Sequence, residues 1–233
     1  MLDQAFAALK SFDWGTDLAA LNPIDEAVVA THGNAGARKE LESRLATVLA
    51  TSVSRDAKDY VCRKLMIVGT AASVPALAAL LSDKELSHMG RFALERIPAP
   101  EAAQALRDSL PKLTGAQKIG VIGSLGVRRD AASVPALAAL LGDADAAVAR
   151  AAACALGDIR TADAAEALAA AKPPADAKAA AIDASLSCAE GLMADGKKTE
   201  AAAIYKALSG ADQPKHVRLA ATKGLLATAG KKE

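Results

Sequence analysis

The chain has 233 residues, of which 52% are hydrophobic but only 3% aromatic, so its apolar side chains are mostly those of Ala, Leu and Val. Alanine is the strongest helix former, and its small side chain lets packed helices approach closely. The 28 basic and 27 acidic residues give a net charge of +1, which disfavours nucleic acid or an anionic membrane as a partner.

Membrane insertion and secretion are not indicated by the sequence. No apolar stretch reaches the roughly 18 residues that would cross a bilayer. The N-terminal stretch MLDQAFAALK lacks the basic and apolar regions of a signal peptide. We therefore expect a soluble chain, cytoplasmic as it stands, or periplasmic if a signal peptide has been removed.

Residues 1–55 are predicted to form N-terminal capping helices. Apolar residues recur at helical spacing in residues 1–12, 23–32 and 37–51, and Asn22 is a candidate cap for the second of these helices. The ends of a repeat array must shield its last apolar face, and they usually depart from the regular pattern.

Internal repeats occupy residues 56–172. The segment AASVPALAALL occurs at residues 71–81 and again, unchanged, at residues 131–141. Leucines recur about every 30 residues in two parallel series. This spacing predicts two helices per repeat, with the leucines of both series buried. The first series is Leu65, Leu94, Leu125, Leu156 and Leu186, and the second is Leu77, Leu106, Leu137 and Leu168.

The turns inside these repeats carry helix-ending and helix-starting residues. Gly157 is predicted to close the first helix of its repeat, and Thr161 or Asp163 to cap the second. Pro75 and Pro135 fit the start of a second helix, where a missing N–H costs little. The further cap candidates are Thr70, Ser73, Asp130 and Ser133.

These motifs resemble the HEAT family, in its short form of about 30 residues also called PBS-lyase HEAT-like. The matching residues are 155–159 (ALGDI), 74–77 and 134–137 (both VPAL). The resemblance implies an all-α fold, a right-handed α-solenoid (armadillo/HEAT-like superhelix) of stacked antiparallel helix pairs. We expect a single domain over residues 1–233.

Residues 173–233 are predicted to form divergent C-terminal repeats. Lys172, Pro173 and Pro174 interrupt the regular pattern. Helices are then expected at residues 176–195, 199–209 and 214–227, followed by a charged Lys-Lys-Glu tail.

No pattern for chemistry emerges. His32, His88 and His216 lie far apart in the sequence, and the His-Glu pairs that bind iron in a HEAT-like hydroxylase family are missing. The three cysteines, Cys62, Cys154 and Cys188, are interpreted as buried, reduced thiols. Gly120, Gly123 and Gly126 are interpreted as sites of close helix packing and not as a phosphate-binding loop. We expect no catalytic, cofactor-binding or metal-binding residues, no cofactor, and no enzymatic activity.

Arginines recur in the turns of successive repeats, at Arg96, Arg128, Arg129 and Arg160. Equivalent positions of stacked repeats align, so these side chains are predicted to form a basic row along one edge. Two interpretations stay open. The row either pairs with local Asp and Glu, or it docks an acidic segment of a partner through bidentate contacts.

The function predicted from these features is that of a non-catalytic, monomeric scaffold or adaptor. It would bind another protein on its concave face or on the edge of the repeat turns. One alternative is a regulatory or lyase-type enzyme subunit of the PBS-lyase HEAT-like group. The other is a nucleic-acid-binding HEAT-like protein, which the balanced charge disfavours.

Overall fold

The computed structural model describes residues 1–230, and these form α-helices joined by short turns and 3₁₀ segments, with no β-strand. The helices group into two compact units, Met1–Val121 and Ile122–Glu233. The first unit contains α1 (Leu2–Leu9), α2 (Asn22–Ala30), α3 (Ala35–Leu49), α4 (Arg55–Val68), α5 (Val74–Ala78), α6 (Ser87–Arg96) and α7 (Pro100–Ser109), and α8 (Gly115–Val127) crosses the boundary. The second unit contains α9 (Val134–Ala139), α10 (Ala146–Ile159), α11 (Ala162–Ala170), α12 (Lys178–Ala194), α13 (Lys198–Leu208) and α14 (Lys215–Ala229). Whether the chain behaves as a single domain stays a prediction.

The helices pack as neighbouring pairs, which confirms the α-solenoid class. In the first unit, α4 packs on α6, and α5 packs on α6 and α7. In the second, α10 packs on α12, and α9 packs on α10 and α11. No helix of residues 1–230 has both the length and the apolar character needed to cross a membrane.

The two leucine series form the core of the repeats, with one exception. Leu186 is only half-buried, because α12 buries Ala184, Cys188 and Ala189 instead. The buried members are Leu65, Leu94, Leu125 and Leu156 of the first series, and Leu77, Leu106, Leu137 and Leu168 of the second. The predicted series therefore holds through α10 and fails in the divergent C-terminal repeat.

The turn after α10 differs from the prediction. Gly157 does not end this helix, which continues to Ile159, and Arg160 terminates it in the left-handed conformation. A Cβ on Gly157 would lie 2.8 Å from the Cα of Ala184 in α12. The glycine is therefore required by the close approach of two helices and not by a change of chain direction.

The predicted caps are partly confirmed. Thr161 accepts a hydrogen bond from the N–H of Ala164, as an N-cap should, whereas Asp163 lies inside the first turn of α11. Ser73 and Ser133 donate their hydroxyls back to the carbonyls of the preceding turn. Asn22 is the first residue of α2 and not its cap.

Thr70, Pro75 and Pro135 agree with the prediction, whereas Asp130 occupies the N-cap position of the 3₁₀ turn before α9 without a side-chain capping hydrogen bond. Thr70 caps the 3₁₀ turn before α5 through the N–H of Ala72. Pro75 and Pro135 lie in the first turns of α5 and α9. The predicted helices at both ends of the chain occur within three residues of their expected bounds, and the largest difference is at the end of α1. The predicted Lys-Lys-Glu tail lies outside the described residues.

Candidate functional site

The arginines of the predicted basic row lie at helix ends. Arg96 is the last residue of α6, in the first unit, and is exposed. Arg128, Arg129 and Arg160 follow α8 and α10 in the second unit. Arg129 is exposed, and Arg128 and Arg160 are half-buried. The second unit thus carries these arginines at two successive repeats, and a continuous row that includes Arg96 stays a prediction.

Arg129 and Arg160 share a left-handed backbone conformation. Their φ angles are 50° and 59°, and no other non-glycine residue within 1–230 has a positive φ. The N–H of Arg129 donates to the carbonyl of Gly126, and that of Asp130 to the carbonyl of Leu125, which forms a helix end where glycine is the usual residue. The left-handed conformation costs an L-residue about 1–2 kcal/mol. Two arginines therefore occupy, one repeat apart, positions that favour glycine.

The guanidinium groups of Arg96, Arg129 and Arg160 are not neutralised by a neighbour. Within the described part of the chain, no carboxylate oxygen lies within 4.0 Å of any of the three. The stem of Arg160 packs on α12, where a Cβ on Gly191 would lie 2.6 Å from the Cβ of Arg160. Packing thus fixes where Arg160 lies.

A groove of about 840 Å³ opens between α11 and α13, with α12 as its floor. We call it the C-terminal groove. Its apolar lining includes Leu168 and Ala169 of α11, Ile182 of α12, and Ala203 and Ile204 of α13. Because α11 and α13 each pack on α12 but make at most a minor contact with each other, the layer of second helices is interrupted here.

Polar groups lie at the edge of the C-terminal groove. Lys172 and Lys178 line it and are exposed, and no described carboxylate lies within 4.0 Å of either ammonium group. Gln213 also lines it, and its Oε1 is buried without a hydrogen-bond partner among residues 1–230. Its Nε2 donates to Asp212 at 3.0 Å. The groove therefore combines an apolar floor with two cations and one unused acceptor.

The sequence did not predict this groove. Its only signal was the interruption of the repeat at Lys172, Pro173 and Pro174, which was interpreted as the boundary between the regular and the divergent repeats. These residues form the extended connection between α11 and the 3₁₀ turn before α12. This connection lines one end of the groove through Lys172 and Pro173.

The three cysteines differ in burial. Cys62 and Cys188 are buried as predicted, but Cys154 is exposed, which corrects the interpretation of three buried thiols. Burial raises the pKa of Cys62 to about 12 and that of Cys188 to about 11. Desolvation is also the main cause of the raised pKa of Cys154. A small cavity of about 240 Å³ joins Cys62 to His88 and Phe92, whose rings stack at 6.1 Å.

The glycines of α8 have three different surroundings. A Cβ on Gly126 would lie 2.9 Å from the Cα of Ala155, as expected for close helix packing. Gly120 faces the guanidinium of Arg91, whose Nη1 donates to the Gly120 carbonyl at 3.0 Å. A Cβ on Gly123 would meet nothing within 4 Å. Close packing therefore accounts for only one of the three.

Metal-ligating side chains do not converge in the described part of the chain. Within residues 1–230, no three His, Cys, Asp or Glu side chains are placed so that they could hold a metal ion. His88 contacts Arg91, whose Nη2 lies 3.4 Å from the imidazole Nδ1.

Comparison with known proteins supports the repeat assignment. Residues 115–185 match the family model of HEAT repeats, which confirms the predicted resemblance for this part of the chain. No curated protein matches the chain. A solved structure of human deoxyhypusine hydroxylase in complex with glycerol is similar, with 17% identity, a TM-score of 0.38, and coverage of 98% of this chain and 96% of that chain.

The last comparison corrects one prediction. The chain was predicted not to be an enzyme, but the similar solved structure is that of a hydroxylase, which is an enzyme. The prediction rested on the lack of recognisable catalytic and metal-binding motifs in the sequence, whereas activity depends on the residues that a fold brings together in a site. At this degree of similarity, no activity of the hydroxylase is assigned to the chain.

Proposed function

We propose that this chain is a protein-interaction module that binds an acidic segment of a partner protein through the arginines of its repeat turns. The observation that carries the proposal is the pair Arg129 and Arg160. Both lie at repeat ends in the left-handed conformation, and neither guanidinium has a carboxylate partner among residues 1–230. Arginine is disfavoured at such positions on backbone grounds, which supports a role for its side chain in a contact.

Arginine is suited to this contact because its planar guanidinium binds a carboxylate with two parallel hydrogen bonds. Turn residues of adjacent repeats lie on the order of 10 Å apart, the usual spacing of packed helices. Each exposed contact contributes about 1 kcal/mol or less, and salt screens it. We therefore expect weak, salt-sensitive binding that depends on more than one arginine.

The test is retention of partners from an extract of the source cell at low salt, followed by mass spectrometry. The R129E/R160E variant should lose a partner that the wild-type chain retains. The matched control is K206E/K223E, which changes the net charge equally at two exposed lysines of α13 and α14. Arg96→Glu is measured separately, because Arg96 lies in the first unit. If R129E/R160E folds normally and retains the same partners, the proposal is wrong.

A further inference from the structure

We propose that the C-terminal groove binds an amphipathic helix of a partner protein that carries acidic residues beside its apolar face. This inference rests on the proposed function, because it assigns a second contact and a partner chemistry to the same interaction module. It uses different residues from those of the arginine turns, so the two can be tested apart.

The place of the groove in the fold indicates that the occupant is a helix. Within the regular repeats of each unit, second helices pack on one another, as α5 does on α7 and α9 on α11. Between α11 and α13 this contact is replaced by open space. A helix about 10 Å across, with a pitch of 5.4 Å, occupies roughly 420 Å³ per turn. The 840 Å³ of the groove therefore accommodates about two turns of a helix, which would complete the layer.

The walls of the groove indicate the face that the partner presents. Ala169, Ala203 and Ala207 are exposed on the walls, although each is a small apolar residue that a packed helix could cover. Small side chains allow a second helix to approach closely. Leucine or alanine at positions i, i+3 and i+4 of the partner would contact them, as in other helix-in-groove complexes.

The charge of the groove indicates which residues flank the apolar face of the partner helix. Lys172 and Lys178 are exposed at its edge, and no Asp or Glu belongs to its described lining. Acidic side chains beside the apolar stripe of the partner would pair with these ammonium groups. The unpartnered Oε1 of Gln213 would accept a hydrogen bond from a donor of the partner, since a buried acceptor without one is costly.

The probe is a fluorescent peptide of about 16 residues, long enough to form a helix, with Leu and Ala on one face and Glu on the other. We expect saturable binding to the purified chain by anisotropy, and protection of amides in α11, α12 and α13 from hydrogen exchange. Ala203→Trp should abolish binding, because it fills the groove from an exposed position. Ala220→Trp, at an exposed alanine of α14 outside the groove, should leave binding unchanged. K172E/K178E should weaken binding by about tenfold or more.

Three results would overturn the inference. The first is no saturable binding of the peptide, and the second is binding that Ala203→Trp does not affect. The third is sedimentation of a dimer that Ala203→Trp disrupts, because a second copy of the chain would then fill the groove. Retention of a partner through Arg129 and Arg160 would survive any of these results, so the groove can fail while the proposed function stands. Conversely, R129E/R160E should not alter binding of the peptide by more than about twofold, because its site lies elsewhere.

Discussion

The buried carboxylate of Glu42 accepts a hydrogen bond of 2.6 Å from the backbone N–H of Thr70. It also accepts one of 3.1 Å from the N–H of Ser73 and bonds to the Thr70 hydroxyl. One turn away on α3, Arg38 donates to the carbonyl of Val68 at 2.7 Å. Arg38 thus binds a backbone carbonyl at the end of α4, and Glu42 binds backbone N–H groups at the start of the next helical segment. Together they hold α3 against the turn between these two segments.

The first prediction concerns this contact. Glu42→Ala should lower the free energy of unfolding by about 3 kcal/mol, because buried N–H donors lose a charged acceptor. Glu42→Gln, which keeps one acceptor oxygen, should lose less. Glu40→Ala on the exposed side of α3 should change stability by no more than about 0.5 kcal/mol. Urea unfolding measures all three, and an equal effect of the substitutions at Glu40 and Glu42 would contradict the role given to Glu42.

The second prediction concerns the leucine series. Leu125→Ala should cost roughly 2–5 kcal/mol, because Leu125 is fully buried and its truncation leaves a cavity. Leu186→Ala should cost clearly less, because Leu186 is half-buried. The melting curves of the two variants compare the sites directly. A melting temperature that Leu125→Ala leaves unchanged would mean that Leu125 is not in the core.

Much of this fold could be predicted from the sequence, because the same pattern of apolar residues occurs in each repeat. The leucines at one spacing indicated two helices per repeat, and each of them from Leu65 to Leu168 is buried. Leu186 departs from the pattern because α12 is rotated so that Cys188 and Ala184 face the core. A periodic pattern does not reveal such a rotation, which follows from the packing of one helix on its neighbours.

The candidate site was less predictable, and for a different reason. The arginines were identified from their position in the turns, but the left-handed backbone of Arg129 and Arg160 was not. Glycine is the usual signal for that conformation, so Gly157 was wrongly predicted to be the helix terminator. The C-terminal groove depends on the separation of α11 from α13, which no local pattern records.

The third prediction separates two kinds of helical glycine. Gly157→Ala should destabilise the protein by about 1–3 kcal/mol, since its Cβ would lie 2.8 Å from the Cα of Ala184 and force the helices apart. Gly123→Ala should stabilise it by up to about 1 kcal/mol, because the new Cβ meets nothing and alanine favours a helix. Thermal unfolding of both variants checks the contrast, and shifts of the same sign would refute it.

The fourth prediction concerns pH. Burial raises the pKa of the Cys188 thiol from its ordinary 9.0 to about 11, although the charge of Arg160 partly opposes the shift. A raised folded-state pKa means that the folded protein holds this proton more tightly. Its stabilising effect is therefore complete below the unfolded pKa and is lost as the pH rises through the folded value.

The measurement is the difference in unfolding free energy between the wild type and Cys188→Ala. From pH 8 to pH 11 the wild type should lose about 2–3 kcal/mol relative to the variant. Other titrating groups are common to both proteins and cancel in the comparison. A difference that stays constant over this range would show that Cys188 is not held as a buried, protonated thiol.

The fifth prediction is the most direct test of the proposed function, and it uses Arg129→Gly. Glycine adopts the left-handed conformation without steric cost, and Arg129 is exposed, so the variant should be as stable as the wild type or more stable by about 1 kcal/mol. The measurement is the affinity, at low salt, for the partner that the immobilised wild-type chain retains. We predict about threefold to fivefold weaker binding with no loss of stability, and a difference that disappears at about 1 M salt. An affinity equal to that of the wild type would contradict the account, because Arg129 would then serve only the helix end.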